Sequence, residues 1–345
     1  MATLSALLPT ALDFARRSDC DQKLQKIIEI SEPTNEILGY LPWAECNQGT
    51  GHLTTTRTGY PSGTWRLLNQ GVQPEKSQTV QTLDTTGMLA DYAEVDKTLA
   101  DLNGNSAEWR LQENAGTLIG MNQTFLSTLF YGNTAVNPER FTGLSPRFSA
   151  PSTTRDNAGY NMVDGGAADG VTAGCTSIWI LGLGPNTLHG IYPKGMPMGW
   201  NAQDLGQQTK TDSNGKMLEV LRNYYQFHSG ISLRDWRYVS RVCNVEVAAL
   251  KGDYASGAKL WDLLTIAVDR IESLQGVTPV ICCNRTIRSF MRRQIVNKIA
   301  PATLTTENIA GKRVTMFDSI PVLLCDGIVN TEAAVLDAAG TFVTQ

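Results

Sequence analysis

The sequence predicts an α+β fold, and three patterns carry that reading. A polar, threonine-dense stretch from Cys46 to Met88 reads as extended chain. A capped run of 3.6-residue periodicity from Asn105 to Tyr131 reads as one long helix. Beyond it, short apolar runs bounded by Gly, Pro and Asn read as strands, with two further helices among them. Hydrophobic residues are 42% and charged residues 18% of the 345, a globular balance with material for a real core.

Taken in order, residues 1–45 carry two short helical stripes, Leu4-Leu7-Leu8-Ala11-Leu12-Ala15 and Leu24-Ile27-Ile28. Pro9, Pro33 and Pro42 interrupt them, so the segment reads as an arm. In residues 46–88, Thr50, Thr54, Thr55, Thr56, Thr58, Thr64, Thr79, Thr82, Thr85 and Thr86 favour extended backbone. A turn near Tyr60-Pro61-Ser62-Gly63 would make a long two-stranded excursion. Such a hairpin lacks an apolar face for its own body, so it must lie on something else; the plainer alternative is a disordered loop. Asn105-Ser106-Ala107-Glu108 forms a capping box. Leu111, Ala115, Leu118, Ile119, Phe125, Leu126, Leu129 and Phe130 then mark one helical face until Gly132.

After a turn-rich stretch, strands are predicted at Ser177–Leu183 and Thr187–Tyr192. Met217–His228 and Ile231–Val245 are predicted as an antiparallel pair turning at Ser229-Gly230. A helix over Ser256–Leu274, the apolar run Val277–Cys283 and a helix capped by Asn284 follow. Arg313–Phe317 and Pro321–Cys325 close the chain as strands.

Motifs for chemistry are missing. His52, His189 and His228 are scattered, and the seven cysteines have no C-x-x-C spacing, so no metal site is expected and the thiols read as small apolar side chains. Leu181-Gly182-Leu183-Gly184-Pro185-Asn186 lacks the third glycine and the helix of a dinucleotide fingerprint. Asp212-Ser213-Asn214-Gly215 opens like a calcium loop but lacks the later ligands, and reads as an exposed turn. No serine elbow or phosphate loop occurs, so no catalytic, cofactor or metal residues are assigned. No apolar run is long enough for a membrane helix. The net charge of −4 excludes a chain that is basic as a whole. One local exception is the outer face of the helix after Asn284, with Arg285, Arg288, Arg292, Arg293 and Lys298 as a basic contact face.

The order of arm, extended loop, long helix and mixed α/β region resembles the major capsid proteins of tailed bacteriophages, the Hong Kong 97-like capsid fold. Leu129-Phe130-Tyr131-Gly132-Asn133, followed by Pro138-Glu139-Arg140-Phe141-Thr142-Gly143-Leu144, is similar to that family's passage out of its spine helix. Ser229 to Asn244 and Thr315-Met316-Phe317-Asp318-Ser319-Ile320-Pro321-Val322 resemble its strands. The resemblance implies an N-terminal arm (1–45), an extended loop (46–88) and a peripheral domain (89–177) whose spine helix is 105–131. It further implies an axial domain (178–309) and returning strands (310–345), with 217–245 assigned to either domain.

It also implies a non-enzymatic protein that self-assembles as pentamers and hexamers into an icosahedral virion shell, built in the host bacterial cytoplasm around double-stranded DNA. Because Met1 stands directly before the arm, a separate scaffolding protein or none is expected, with a portal, and with or without decoration proteins, as further partners, and no membrane or cofactor. Trp65, Leu67 and Leu68, with Tyr60, are the expected apolar subunit contacts; Arg57 and Arg66 are the expected ion-pair partners. Lys76 is the sole lysine of the loop, and an unlinked lysine is the expectation. The rivals are an encapsulin-type compartment shell, a secreted or surface β-rich binding protein, and an unrecognised hydrolase.

Overall fold

The computed structural model describes residues 36–101, 106–167, 171–212, 214–252, 259–296, 304–309 and 312–336. The helical stripes of the arm, the Asn105 cap, the first residues of the Ser256 helix, Cys20 and Lys298 lie outside them. The described residues fall into two units. One holds Met88–Phe125 and Pro197–His228; the other holds residues 36–87, 126–196 and 229–336.

In the first unit, strand Trp200–Thr211 pairs antiparallel with Met217–Leu233, from Trp200 opposite Phe227 to Thr211 opposite Met217. Their connection is the Asp212 turn, closed by Asp212 N–H to Lys216 O at 2.7 Å, with Gly215 at φ 77°. The predicted reversal at Ser229-Gly230 is therefore replaced by one 17 residues earlier, and Met217–Leu233 runs unbroken through both residues. The would-be partner strand is Val239–Glu246, which pairs instead with Ala173–Leu183. Gly230 is present for close approach: a Cβ there would lie 2.8 Å from Thr85 O.

The long helix spans Ser106–Tyr131, 26 residues, or about 39 Å at 1.5 Å per residue. Met121 and Leu118 pack with Ala93, Leu89, Tyr225 and Trp200, while Trp200 stacks on Phe227 at 4.4 Å. Arg110 ties the helix to the hairpin through Asp204 (2.7 Å) and Asn223 (2.6 Å). Burial of the expected apolar face is uneven: Leu111 is 71% exposed, whereas Phe125 through Phe130 supply buried anchors. The first half of the helix thus has Leu111 exposed where the second half is anchored.

In the second unit, the central strand Ala173–Leu183 has Val239–Glu246 on one side and Thr278–Cys283 on the other, both antiparallel. Thr278–Cys283 pairs parallel with Ile320–Leu324, which forms a hairpin with Lys312–Phe317. Asp318 and Ser319 both take positive φ there, as a two-residue hairpin turn requires. Helices Leu260–Asp269 and Arg285–Val296 bury Leu260, Leu264, Ala267, Ile287 and Met291 against Ile178, Ile180 and Ile281. The first of these ends at Asp269 and not at Leu274, because Ile271 N–H turns to Val268 O in a tighter closing bond. Asn284 caps the second as expected, its Oδ1 accepting from Ile287 N–H at 2.9 Å.

The long helix stops at Tyr131 through close approach of the chain that returns to it. Gly132 N–H donates to Thr128 O and Leu144 N–H to Leu129 O, which satisfies two of the carbonyls left open at a helix end. A Cβ at Gly132 would sit 2.3 Å from Phe141 O, and one at Gly143 would sit 2.6 Å from Thr128 O. This geometry gives the Gly132 and Gly143-Leu144 pattern its physical reason. The cysteines Cys46, Cys175, Cys243, Cys282, Cys283 and Cys325 are free and buried. Among the described residues, no helix is long and apolar enough to cross a membrane.

Candidate functional site

Within the second unit, strands Gly51–Gly59 and Gln78–Thr85 form a separate antiparallel hairpin, from Gly51 opposite Thr85 to Gly59 opposite Gln78. The threonines serve as pleat residues, and Thr54 and Thr82 hydrogen-bond across the ladder at 2.9 Å. Almost everything that holds its base is polar. Arg147 pairs with Asp84 at 2.8 Å, Thr56 Oγ1 donates to Arg234 O at 2.7 Å, and Asn47 brackets Leu53 through both its amide atoms.

His52 is buried beside this base, its Nε2 at 2.9 Å from Arg234 Nη2. His189 meets the His52 ring edge-on at 5.6 Å. Burial, then the positive charge of Arg234, pushes His52 below its ordinary pKa. Burial, Arg234 and His52 push His189 down to about 4. Neither ring nitrogen of His189 has a hydrogen-bond partner among the described residues. Both histidines are therefore neutral at pH 7.

The reversal lies farther out than the sequence predicts. Tyr60 to Ser77 form an irregular tip, and the chain turns at Leu67–Gln70, where Asn69 takes φ 66°. Ser62 N–H and Oγ–H both donate to Glu75, so the residues around Pro61 belong to one leg of the tip, held to the other. Trp65 is fully exposed, Leu68 is 94% exposed and Leu67 71%. Three large apolar side chains thus share one exposed projection, more apolar surface in one place than scattered exposed residues would give. Tyr60 is also exposed, with its hydroxyl beside Arg237. Arg66 donates to Gln70 O; Arg57 and Lys76 are exposed and have no ion-pair partner among the described residues.

The basic face of the Arg285–Val296 helix is partly neutralised by the chain itself. Arg285 makes a forked pair with Asp326, Arg292 donates to Thr315 Oγ1 at 3.1 Å, and Arg293 lies over the Phe290 ring. The residues that fasten the hairpin, His52, Asp84, Arg147 and Arg234, carried no signal in the sequence. Each acts through a partner far away in the chain or in its register, and no local spacing reveals such pairs. Among the described residues, no cluster of His, Cys, Asp and Glu could hold a metal ion.

Residues 19–336 match the model of the major capsid protein GP7 family. The chain belongs to that family. It is the major capsid protein of a tailed bacteriophage, a structural component of the virion. Its structure is similar to that of bacteriophage Epsilon15 from cryo-EM, with 34% identity over 97% of this chain and 99% of that one and a TM-score of 0.77. The bacteriophage JBD30 capsid shares the fold at 10% identity and a TM-score of 0.52, covering 87% of this capsid protein and 93% of its own chain. A search of the curated proteins finds no match. Family membership favours the capsid reading over the encapsulin and β-rich binding-protein ones.

Proposed function

We propose that many copies of this chain, grouped as pentamers and hexamers, close into an icosahedral shell around double-stranded DNA, and that the Gly51–Thr85 hairpin clamps each copy to its neighbour. One observation carries the reading: an apolar tip of Trp65, Leu67 and Leu68 stands in solvent on a base fastened by buried polar contacts. Burying each such side chain on a neighbour stabilises the contact by ~1.5–3 kcal/mol. Arg57, Arg66 and Lys76 sit on the same projection and supply charge to the rim of that contact, the usual place for it. Stability is then shared between chains and depends on concentration.

In this reading the protein builds and does not catalyse. Residues 1–45 are the arm and 46–88 the loop; 89–177 form the peripheral domain, 178–309 the axial domain and 310–345 the returning strands. Assembly takes place in the host bacterial cytoplasm, with a separate scaffolding protein, and the finished shell carries a portal and decoration proteins. Negative-stain imaging of the purified full chain tests the central claim. Closed shells or ring-shaped capsomers are expected, and a monomer that persists at high concentration, with and without candidate scaffolding protein, overturns it.

A further inference from the structure

On the outer face of the Arg285–Val296 helix, Arg285, Arg288, Ser289, Arg292, Arg293 and Leu324 line an open recess of about 400 Å³. Two carboxylates stand at its rim, Asp326 on Arg285 and Glu36, which accepts from Leu324 N–H. Arg288 is half-buried and has no hydrogen-bond or ion-pair partner for its guanidinium among the described residues. It lies one turn from the helix N-terminus, where the helix dipole disfavours a cation. Arg292 spends one donor on a neutral hydroxyl and Arg293 stacks on a ring, so both keep their charge. Three guanidinium groups thus face one recess with no ion-pair partner among the described residues, in a chain whose net charge is −4.

We propose that this recess is a phosphodiester-binding site that holds the backbone of the enclosed DNA without reading its sequence. The lining favours phosphate over an acidic protein segment. Leu324 is its one apolar side chain, and peptide grooves gain most of their affinity from buried apolar and aromatic anchors. Phosphate contacts need only forked donors, which Arg288 and Arg292 supply, with the Ser289 hydroxyl between them. With no more than three phosphates engaged per subunit, binding is weak and easily reversed by salt.

This rests on the shell reading, and its test is separable from that reading. Unassembled full-length subunits are titrated with a labelled 20-base-pair duplex of arbitrary sequence over a range of salt concentrations. The expected log–log salt slope is about −2 to −3. Arg288→Gln with Arg293→Gln flattens the slope by about 2, while Arg288→Lys keeps it, with circular dichroism confirming that each variant is folded. An unchanged slope in the double variant, no binding by folded wild type, or tighter binding of a glutamate-rich peptide of equal charge each overturns the site. Subunits that form shells yet fail this assay remove the site alone; subunits that form no shell under any condition remove the shell reading, whatever they bind.

Discussion

Arg241 and Glu332 meet as an ion pair at 3.0 Å with both side chains almost wholly removed from water. The pair is fully furnished with further bonds. Glu332 also accepts from Tyr131 Oη–H and Ser177 Oγ–H, and Arg241 donates to Phe148 O at 2.7 Å while lying over the Trp179 ring. Next to it, Asn244 bonds both backbone groups of Val335 at 2.7 Å. The last described segment is therefore latched to the end of the long helix and to the central sheet.

Glu332→Ala strands a buried guanidinium and should destabilise the subunit by about 3–5 kcal/mol. Asp326→Ala removes the exposed partner of Arg285 and should change stability by about 0–1 kcal/mol. Urea unfolding of unassembled subunits separates the two. Equal effects would mean that the buried network does not govern how the C-terminal segment is held.

Glycines within the long helix and packed against its end divide in the same way. Gly143→Ala drives a Cβ against the Thr128 carbonyl and should destabilise by about 1–3 kcal/mol or more. Gly116 and Gly120 have open space where a Cβ would go. Gly116→Ala should raise subunit stability by about 0.5–1 kcal/mol, since a helix interior favours alanine. Thermal unfolding of each variant checks the sign, and a destabilised Gly116→Ala would contradict the described helix packing.

The long helix, its Gly132 stop, the Asn284 cap and the closing hairpin were legible because each is written in local chemistry: periodicity, a side-chain cap, a positive-φ turn. Ser229-Gly230 misled for a physical reason. A glycine that admits a neighbouring backbone looks, in sequence, like a glycine that makes a turn. The loop hairpin was legible as extended chain, but its turn was not, since Pro61 and Gly63 are as compatible with a leg as with a reversal. Arg241 with Glu332, and Asp84 with Arg147, were invisible because nothing in a single sequence joins residues so far apart. The half-exposed helix face shows the converse: Leu111 shares the helix's apolar periodicity, yet it is exposed.

The histidines at the hairpin base make stability depend on pH. The groups facing them are Arg234, Asp84 and, through Asp84, Arg147. The folded pKa of His189 is lowered to about 4 and that of His52 is lowered too, while unfolded histidine titrates near ~6.5. The unfolded chain therefore binds more protons below that value. Their contribution is complete above ~6.5 and is lost as pH falls toward 4. The loss approaches about 1.4 kcal/mol per pH unit for each group still neutral in the fold. Urea midpoints measured between pH 7.5 and 4.5 should fall accordingly, and His189→Gln should flatten the profile whatever its effect at pH 7.5. A wild-type profile that stays flat would sink the assignment.

Removal of the hairpin tip separates folding from assembly. The base contacts of His52, Thr56, Asp84 and Asn47 all lie outside Tyr60–Ser77, so replacing residues 62–75 by a short Gly-Ser turn leaves every one of them in place. The subunit should keep its unfolding transition within about 0.5 kcal/mol of wild type, since exposed residues contribute little to its own stability. Shell formation should be lost or should need a much higher protein concentration. Trp65→Ala with Leu68→Ala should produce the same defect in milder form, and Trp65→Phe should recover most of it, because the contact needs apolar area more than an indole. Light scattering against concentration reads assembly, and circular dichroism reads folding. A tipless subunit that unfolds would place Trp65 and Leu68 within their own chain's core, and one that assembles at the wild-type concentration would remove the tip from the subunit contact.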